Sequence, residues 1–387
     1  MKVGILTYHW IYNYGAQLQA LATAETIRSL GHEPVILHYI HTDLREGFYE
    51  KMVPPIQQRA HIEFTEHHLP TTQTCHSEEE LIQQVDSLDL RHILVGSDAV
   101  FFIKYPRSPF SDTRYPSVFW LRWIERCKNY PDIQVSSLSA SSMETNFRRL
   151  PKEIRSGLKH SLDNFSHVTV RDRWTYWFIK RVAMNRRVKT TPDPVMGFEE
   201  NVGKRHFQDI DLPVKGKYIL YGLQKGIGKE RRELMKAIKE KVNKAGYKFI
   251  SLPFPDGSYN EMDDETIHDP VNPLLWYKLI QHASGLFSEK FHPIVVSMHN
   301  KVPFVAIDGY SDRISRKFVV PVHMKIQSKT YDLCRRNGFR DAHIPVSQFD
   351  MSKVDQVVDT LLHKKWDFSI SEKRSAEFTQ TIANLLE

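Results

Sequence analysis

In the first two hundred residues, short unbroken apolar runs alternate with stretches whose apolar residues recur every three to four positions. Residues 3–8, Val-Gly-Ile-Leu-Thr-Tyr, are one such run. Residues 16–30 follow, with Leu18, Leu21, Ala22, Ile27 and Leu30 on one stripe and Gly31 at the close. That spacing predicts a helix ended by a left-handed residue. Residues 34–40 are a second apolar run. Strand, helix and strand in this order predict a crossover, and therefore a parallel pair. Further strands are predicted at 91–95, 134–139 and 168–171, and helices at 77–85, 150–165 and 172–182. Ser77 and Glu80 have the spacing of a capping box. The rest of 41–90 is polar and irregular. Residues 189–195, with two prolines, read as extended chain.

The pattern stops at 199–215, a polar stretch without periodicity, and then resumes. Strands are predicted at 217–222, 247–252, 285–287 and 302–307, with helices at 230–245 and 272–282. Residues 309–387 are mixed and end in helices. A chain of 387 residues exceeds one ordinary core. The expectation is an α/β protein of two domains, 1–198 and 216–387, joined by a linker at 199–215. The last helix is expected to return to the first domain.

Candidate chemistry gathers where predicted strands end. At 287–299 a strand gives way to Ser288-Glu-Lys-Phe-His292, and Pro293 sits where a first helical residue would. Lys290 and His292 then lie beside free backbone N–H groups and a partial positive charge, a place for phosphate or carboxylate. A plain turn with a capping serine and a solvated lysine is the other reading. Asn13-Tyr-Gly15 opens the first helix, and Gly96-Ser97-Asp98 follows the third strand, both at carboxyl ends where open sheets take ligands. Arg171 ends a strand and offers a planar fork to an anion, or an ion pair to Asp172 or another carboxylate. The aromatic and proline-rich stretch 101–123 is either a packed loop or a sugar-stacking surface. Gly226-Ile-Gly228-Lys229 lacks the spacing of a phosphate loop.

Composition narrows the classes. The chain is 41% hydrophobic and 26% charged, with 53 basic and 46 acidic residues and a net charge of +7. That balance suits anionic small molecules, nucleic acid or a membrane surface alike. Basic runs with interleaved aromatics are absent from the sequence, which sets nucleic acid aside. No apolar run is long enough for a bilayer span, and peripheral contact with a membrane face stays open. The start of the chain is too short and polar for a secretory signal. Cys75, Cys127 and Cys334 are odd in number, far apart and without metal-ligand spacing, which points to a reducing cytoplasm.

Taken together, the segments resemble the polysaccharide pyruvyl transferase family from residue 3 to about 308. The residues carrying the resemblance are Gly4-Ile-Leu-Thr-Tyr8, Asn13-Tyr-Gly15, Leu18-Gln19, Leu94-Val-Gly-Ser-Asp98, Ser139-Ala-Ser141, Val168-Thr-Val-Arg-Asp172, Asp193-Pro-Val195 and Phe291-His292. Their order and spacing carry it, since none is specific alone. The resemblance implies two Rossmann-like domains facing a cleft, the GT-B-like arrangement. It implies transfer of a pyruvyl group from phosphoenolpyruvate onto two hydroxyls of a sugar, forming a ketal and releasing phosphate. The acceptor would be a cell-surface glycan precursor, carried on a lipid or a nucleotide. By resemblance, His292, Arg171 and Lys290 are the catalytic set: Arg171 and Lys290 hold the donor's anionic groups, and His292 bonds the phosphate or acts as acid. Asn13, Gly15, Gln17, Ser97, Asp98, Ser139, Ser141 and Phe291 would line the substrates. Neither a metal nor a further cofactor is implied.

The sequence departs from the family pattern. Lys290 stands where arginine is usual, keeping the charge but losing the two-pronged fork. Phe291-His292-Pro293 replaces Leu-His-Gly, and Ala99-Val-Phe101 follows Gly-Ser-Asp where a glutamine and a tryptophan are common. A different acceptor, an altered donor geometry and a weakened enzyme all stay open. So do two alternatives: a glycosyltransferase of the same shape using a nucleotide sugar, and a non-catalytic family member in polysaccharide biosynthesis. The oligomeric state is open as well.

Overall fold

A computed structural model of the protein describes all residues except 199–201, 203–204, 208–209 and 310–327. The expected linker at 199–215 and the mixed stretch from 309 lie partly outside the described residues.

The described residues form two parallel sheets. The first holds β1 (Lys2–Leu6), β2 (Glu33–Ile36), β3 (His92–Val95), β4 (Gln134–Ala140), β5 (His167–Val170) and β6 (Val188–Thr190), in the order β2-β1-β3-β4-β5-β6. The second holds β7 (Tyr218–Gly222), β8 (Lys248–Ser251), β9 (Gly285–Ser288), β10 (Phe304–Asp308) and β11 (His343–Pro345), in the order β11-β10-β9-β7-β8. The strands read as unbroken apolar runs because both faces are covered: Val3, Ile5, Ile93, Val95, Ile219 and Leu286 are fully buried. Counted from its own first strand, the five-stranded sheet repeats the order of the first five strands of the six-stranded one. That order reverses between β1 and β3 in one sheet and between β7 and β9 in the other. At such a reversal the connections leave toward opposite faces and open a crevice at the carboxyl ends of the strands.

Helices cover the sheets: α1 (Tyr14–Ser29), α2 (Pro55–His68), α3 (Glu78–Ser87), α4 (Lys152–Asp163), α5 (Arg173–Val182), α6 (Lys229–Lys244), α7 (Pro273–Gln281), α8 (Phe291–His299), α9 (Lys329–Arg336), α10 (Val354–Leu362) and α11 (Ser369–Leu386). The capping box on α3 forms in both directions between Ser77 and Glu80. Sequence periodicity missed α2. Its buried residues are Gln57, Ala60, His61, Phe64 and Thr65, so the inward stripe has helical spacing but a largely polar composition. Helix α8 begins two residues before the expected start, at Phe291, with Lys290 as its cap. Pro293 is still in the first turn, where the backbone N–H groups have no partner in the helix, so its missing donor costs nothing.

The two sheet layers share one apolar core, which runs from Leu18 and Leu21 of α1 through Val195, Leu274 and Ile294 to Phe378 and Ile382 of α11. Tyr14 stacks on Trp276 with centroids 5.0 Å apart. Gln57 joins the layers by polar bonds, donating to the Val271 carbonyl at 2.7 Å and accepting from the Val271 N–H at 2.9 Å. Helix α11 lies against the turn Pro194–Gly197, where a Cβ on Gly197 would stand 2.7 Å from the Phe378 ring. No helix among the described residues is long and apolar enough to cross a membrane. Cys75, Cys127 and Cys334 are free and buried.

Candidate active site

The crevices of the two sheets meet in a single cleft of about 420 Å³. The first layer contributes Tyr12, Asn13, Gly15 and Asp98, and the second contributes Lys290, Phe291, His292 and Lys329. Two helix N-termini open onto it. Asn13 caps α1 by accepting the Ala16 N–H at 3.1 Å, and the α8 start, capped by Lys290, faces it from the other layer. Both ends present unpaired N–H groups and favour an anion.

Gly15 and His292 touch across the seam. A Cβ built on Gly15 would stand 2.0 Å from both Cγ and Nδ1 of His292. Only glycine lets the imidazole lie this close to the first turn of α1. His292 Nε2 is 3.9 Å from the Asp193 carboxylate, too far for a hydrogen bond. This nitrogen is buried and has no partner. Burial lowers the imidazole pKa, Asp193 and Asp98 oppose that, and Arg171 and Lys329 add to it. The net direction is down, so the ring is neutral near pH 7.

Arg171 organises the floor beneath. It is 3% exposed. One guanidinium nitrogen bonds Asp193 at 2.7 Å and another bonds Asp98 at 3.2 Å. The guanidinium carbon lies 4.6 Å from the Phe291 ring centroid. Burial pulls the Arg171 pKa down, but the Asp193 and Asp98 charges outweigh it and the group is held firmly cationic. Its fork is thus filled by two carboxylates of the protein, and Arg171 lies behind Phe291 rather than on the cleft wall. Asp98 has a left-handed backbone, φ +67°, which aspartate tolerates. Burial raises its pKa, and Arg171, His292 and Lys329 together outweigh that and lower it.

Lys329 is the cleft residue that sequence reasoning missed. It opens α9, whose Ser328 cap accepts the Tyr331 N–H at 3.0 Å. Asp332 on α9 accepts the Arg173 N–H at 3.0 Å, and Arg336 donates to the Arg171 carbonyl, so α9 is pinned to the start of α5. The pinning brings the Lys329 ammonium to 5.1 Å from the Phe291 centroid and 3.3 Å from Met143 Sδ. Burial first, and then Arg171, lower its pKa to about 8, against the pull of Asp98. The signal in the sequence was Ser328-Lys329, a capping serine beside a lysine at a helix start.

The remaining expected site residues divide. Asn13, Gly15, Asp98, Lys290, Phe291 and His292 line the cleft. Gln17, Ser97, Ser139 and Ser141 are buried outside its lining. Gln17 donates to the His61 carbonyl at 2.8 Å and to Thr65 Oγ1 at 2.9 Å, tying α1 to α2. Ser97 Oγ donates to the Ser139 carbonyl at 2.7 Å, and Ser139 Oγ to the Pro192 carbonyl at 2.6 Å. Ser141 Oγ donates to Asp172 at 2.7 Å, and Asp172 caps α5. Gln19 closes the β1/β3 reversal: it donates to Thr7 Oγ1 at 2.8 Å and accepts from the Ser97 N–H at 3.0 Å. Among the described residues no group of three His, Cys, Asp or Glu side chains has a geometry that would hold a metal ion.

The polysaccharide pyruvyl transferase family model matches residues 13–310. The chain belongs to that family. In this pyruvyl transferase homologue the departures at Lys290, Phe291 and Pro293 all fall on the first turn of α8, at the cleft. None of the curated protein sequences compared matches it. Among solved structures, UDP-GlcNAc 2-epimerase from Methanocaldococcus jannaschii is 12% identical, with a TM-score of 0.56, over 99% of this chain and 100% of the epimerase. UDP-GlcNAc 2-epimerase from Neisseria meningitidis, bound to UDP-GlcNAc, is 11% identical with a TM-score of 0.54, over 100% and 99% of the two chains. UGT89C1 from Arabidopsis thaliana, complexed with UDP, is 11% identical with a TM-score of 0.51, over 100% of both chains. At such identities these likenesses speak to the fold, which is GT-B-like: two Rossmann-like halves facing a cleft.

Proposed function

We propose that the protein transfers the pyruvyl group of phosphoenolpyruvate onto two hydroxyls of a sugar in a cell-surface glycan precursor, forming a ketal and releasing phosphate. Beyond family membership, one observation carries this reading. His292 presents a buried, unpartnered Nε2 between Asp193 and the cations Arg171 and Lys329, at a helix N-terminus that opens on the cleft. That is a proton-transfer group inside an anion site.

The chemistry assigns work to each group. Phosphoenolpyruvate carries a carboxylate and a phosphate, and Lys290, Lys329 and the α8 N-terminus supply charge and N–H donors for them. A doubly anionic donor raises the imidazole pKa, so His292 takes up a proton and delivers it to the methylene carbon. The neighbouring carbon becomes electrophilic and a sugar oxygen bonds to it, losing its proton. The second hydroxyl then bonds to the same carbon, and the C–O bond to phosphate breaks with its electron pair going to phosphate. Two hydroxyl protons are released against one taken up by the methylene, and the other leaves with phosphate. Arg171 is a positioning residue that fixes Asp98, Asp193 and the Phe291 ring. No metal or further cofactor has a part in this scheme.

The division into domains 1–198 and 216–387, and a cytoplasmic site of action on a lipid- or nucleotide-linked acceptor, belong to the same proposal. The test is incubation with phosphoenolpyruvate and a panel of nucleotide- and lipid-linked sugars. The expected result is phosphate release that needs both substrates, with a new ketal methyl signal by NMR. Transfer of a sugar from UDP-GlcNAc with no use of phosphoenolpyruvate would replace this reading with a glycosyltransferase.

A further inference from the structure

The cleft has a second polar focus. Asp112 is 5% exposed and lines the cleft wall. Tyr8, also on the wall, donates its hydroxyl to Asp112 Oδ2 at 2.7 Å. The other oxygen, Oδ1, is buried and has no hydrogen-bond partner. Two other acidic groups of the cleft differ. Asp98 is paired with Arg171, and Glu289 with Arg231 at 2.6 Å. Asp112 pairs with no basic side chain among the described residues, and Asp43 acts on it as a like charge. A buried carboxylate oxygen without a donor costs free energy until something fills its place.

What surrounds it says what fits. Tyr8 packs against Phe119 at a tilt, with centroids 4.8 Å apart, and Tyr49 lines the same cleft. Phe102 and Phe110 complete an aromatic wall on this side. Aromatic faces take the C–H faces of a pyranose, and a fixed carboxylate takes its hydroxyls. A carboxylate on the ligand would meet Asp112 and Asp256 as like charges.

We propose that the Tyr8–Asp112 pair is the acceptor subsite, in which Asp112 Oδ1 accepts a hydrogen bond from a hydroxyl of a neutral sugar ring and excludes uronic acids. The idea rests on the transferase reading for the identity of the site as an acceptor site. The sugar pocket itself stands on the geometry alone. The cleft then has two ends: a cationic donor end at Lys290, His292 and Lys329, and an acidic, aromatic acceptor end at Asp112. Burial raises the Asp112 pKa most, Tyr8 opposes that, the Asp43 charge adds to the rise, and nearby backbone N–H groups, Thr113 first, pull it back. Among the described residues no donor meets hydrogen-bond geometry at Oδ1, which leaves that oxygen for the ligand.

The experiment uses the full chain and methyl glycosides as probes: methyl galactoside, methyl glucoside and methyl glucuronide. Binding is read from tryptophan fluorescence, since Trp276 lines the same cleft. A neutral glycoside is expected to bind at least about tenfold more tightly than the glucuronide. Asp112→Asn is expected to weaken the neutral glycoside by about tenfold or more, the loss of one charged hydrogen bond. It is also expected to shrink the discrimination against the glucuronide, which a structural role would not alter. Tyr8→Phe keeps the wall and leaves both oxygens of Asp112 unpaired, and its binding should fall less. Phosphoenolpyruvate turnover is followed in parallel, so that a failed transferase reading shows as absent turnover with glycoside binding intact. Equal affinity of wild type for the two glycoside classes overturns the proposal. So does an Asp112→Asn protein, folded by its melting curve, with unchanged affinity and selectivity.

Discussion

Replacing Gly15 by alanine sets two known effects against each other. Gly15 is the second residue of α1, and alanine there is favoured by about 1 kcal/mol from helix propensity alone. The added methyl, however, would stand 2.0 Å from Cγ and Nδ1 of His292. Ordinary contact between such atoms is about 3.5 Å, so the ring or the helix must yield by roughly 1.5 Å. Overpacking of this kind costs about 1–3 kcal/mol, so the net change in stability should be small or destabilising by up to roughly 2 kcal/mol. Activity should suffer far more, because a displacement of about 1 Å at a catalytic group costs on the order of a hundredfold. The assay pairs a melting curve with turnover of phosphoenolpyruvate. His292→Ala provides the control: it removes the ring atoms at 2.0 Å but keeps its own Cβ at 2.6 Å from the added methyl, so Gly15→Ala should cost less in the His292→Ala background than in the wild type. A Gly15→Ala protein with wild-type turnover would refute the placement of His292 over α1. So would a Gly15→Ala change that costs as much in the His292→Ala background as in the wild type.

Other consequences follow from the same geometry. Arg171→Ala leaves Asp98 and Asp193 as buried, unpaired carboxylates and should cost about 3–5 kcal/mol in denaturant unfolding; adding Asp98→Asn should recover part of it. Because the Asp98 pKa is lowered, the stability it adds is present above the ordinary 3.8 and lost as pH falls through its folded value. Asp98→Asn should therefore flatten the acid limb of the pH–stability curve. Lys329, held to about pH 8, loses its charge above that pH. The KM for phosphoenolpyruvate should then rise as pH passes about 8, and Lys329→Arg should flatten the rise. Gln19→Leu strands the Ser97 N–H and should lower both melting temperature and turnover. Gln17→Leu, which frees α2 away from the cleft lining, should lower the melting temperature with the KM little changed.

The strands were legible because buried parallel strands advertise themselves as apolar runs, and β1, β3, β7 and β9 all fall on them. Asn13, Gly15 and the Ser288–His292 turn could be placed because they follow such runs, and in a doubly wound sheet the carboxyl end of a strand is where a crevice opens. Three features were hidden for stated reasons. Helix α2 buries Gln57 and His61, so its stripe carries no hydrophobic contrast. Strand β6 carries Lys189 and a pattern of partly exposed residues, the mark of an edge strand, and it read only as extended chain. Lys329 reaches the cleft through α9 and its bonds to Arg173 and Arg171, contacts more than 150 positions apart that no local pattern reveals. The serines at 97, 139 and 141 show the reverse case. Small polar residues at strand ends look like ligand contacts, and here they bond to protein groups: the Ser139 carbonyl of β4, the Pro192 carbonyl and the Asp172 cap of α5.

The central claim is that phosphoenolpyruvate is bound between Lys290, His292 and Lys329. The most direct measurement is a thermal-shift titration of wild type, His292→Ala and Lys329→Met with phosphoenolpyruvate, beside UDP-GlcNAc. A ligand of the folded state raises the melting temperature by mass action. The account predicts a rise with phosphoenolpyruvate in the wild type that is lost or strongly reduced in both variants. A rise with UDP-GlcNAc alone, or a phosphoenolpyruvate response untouched by either substitution, would contradict it.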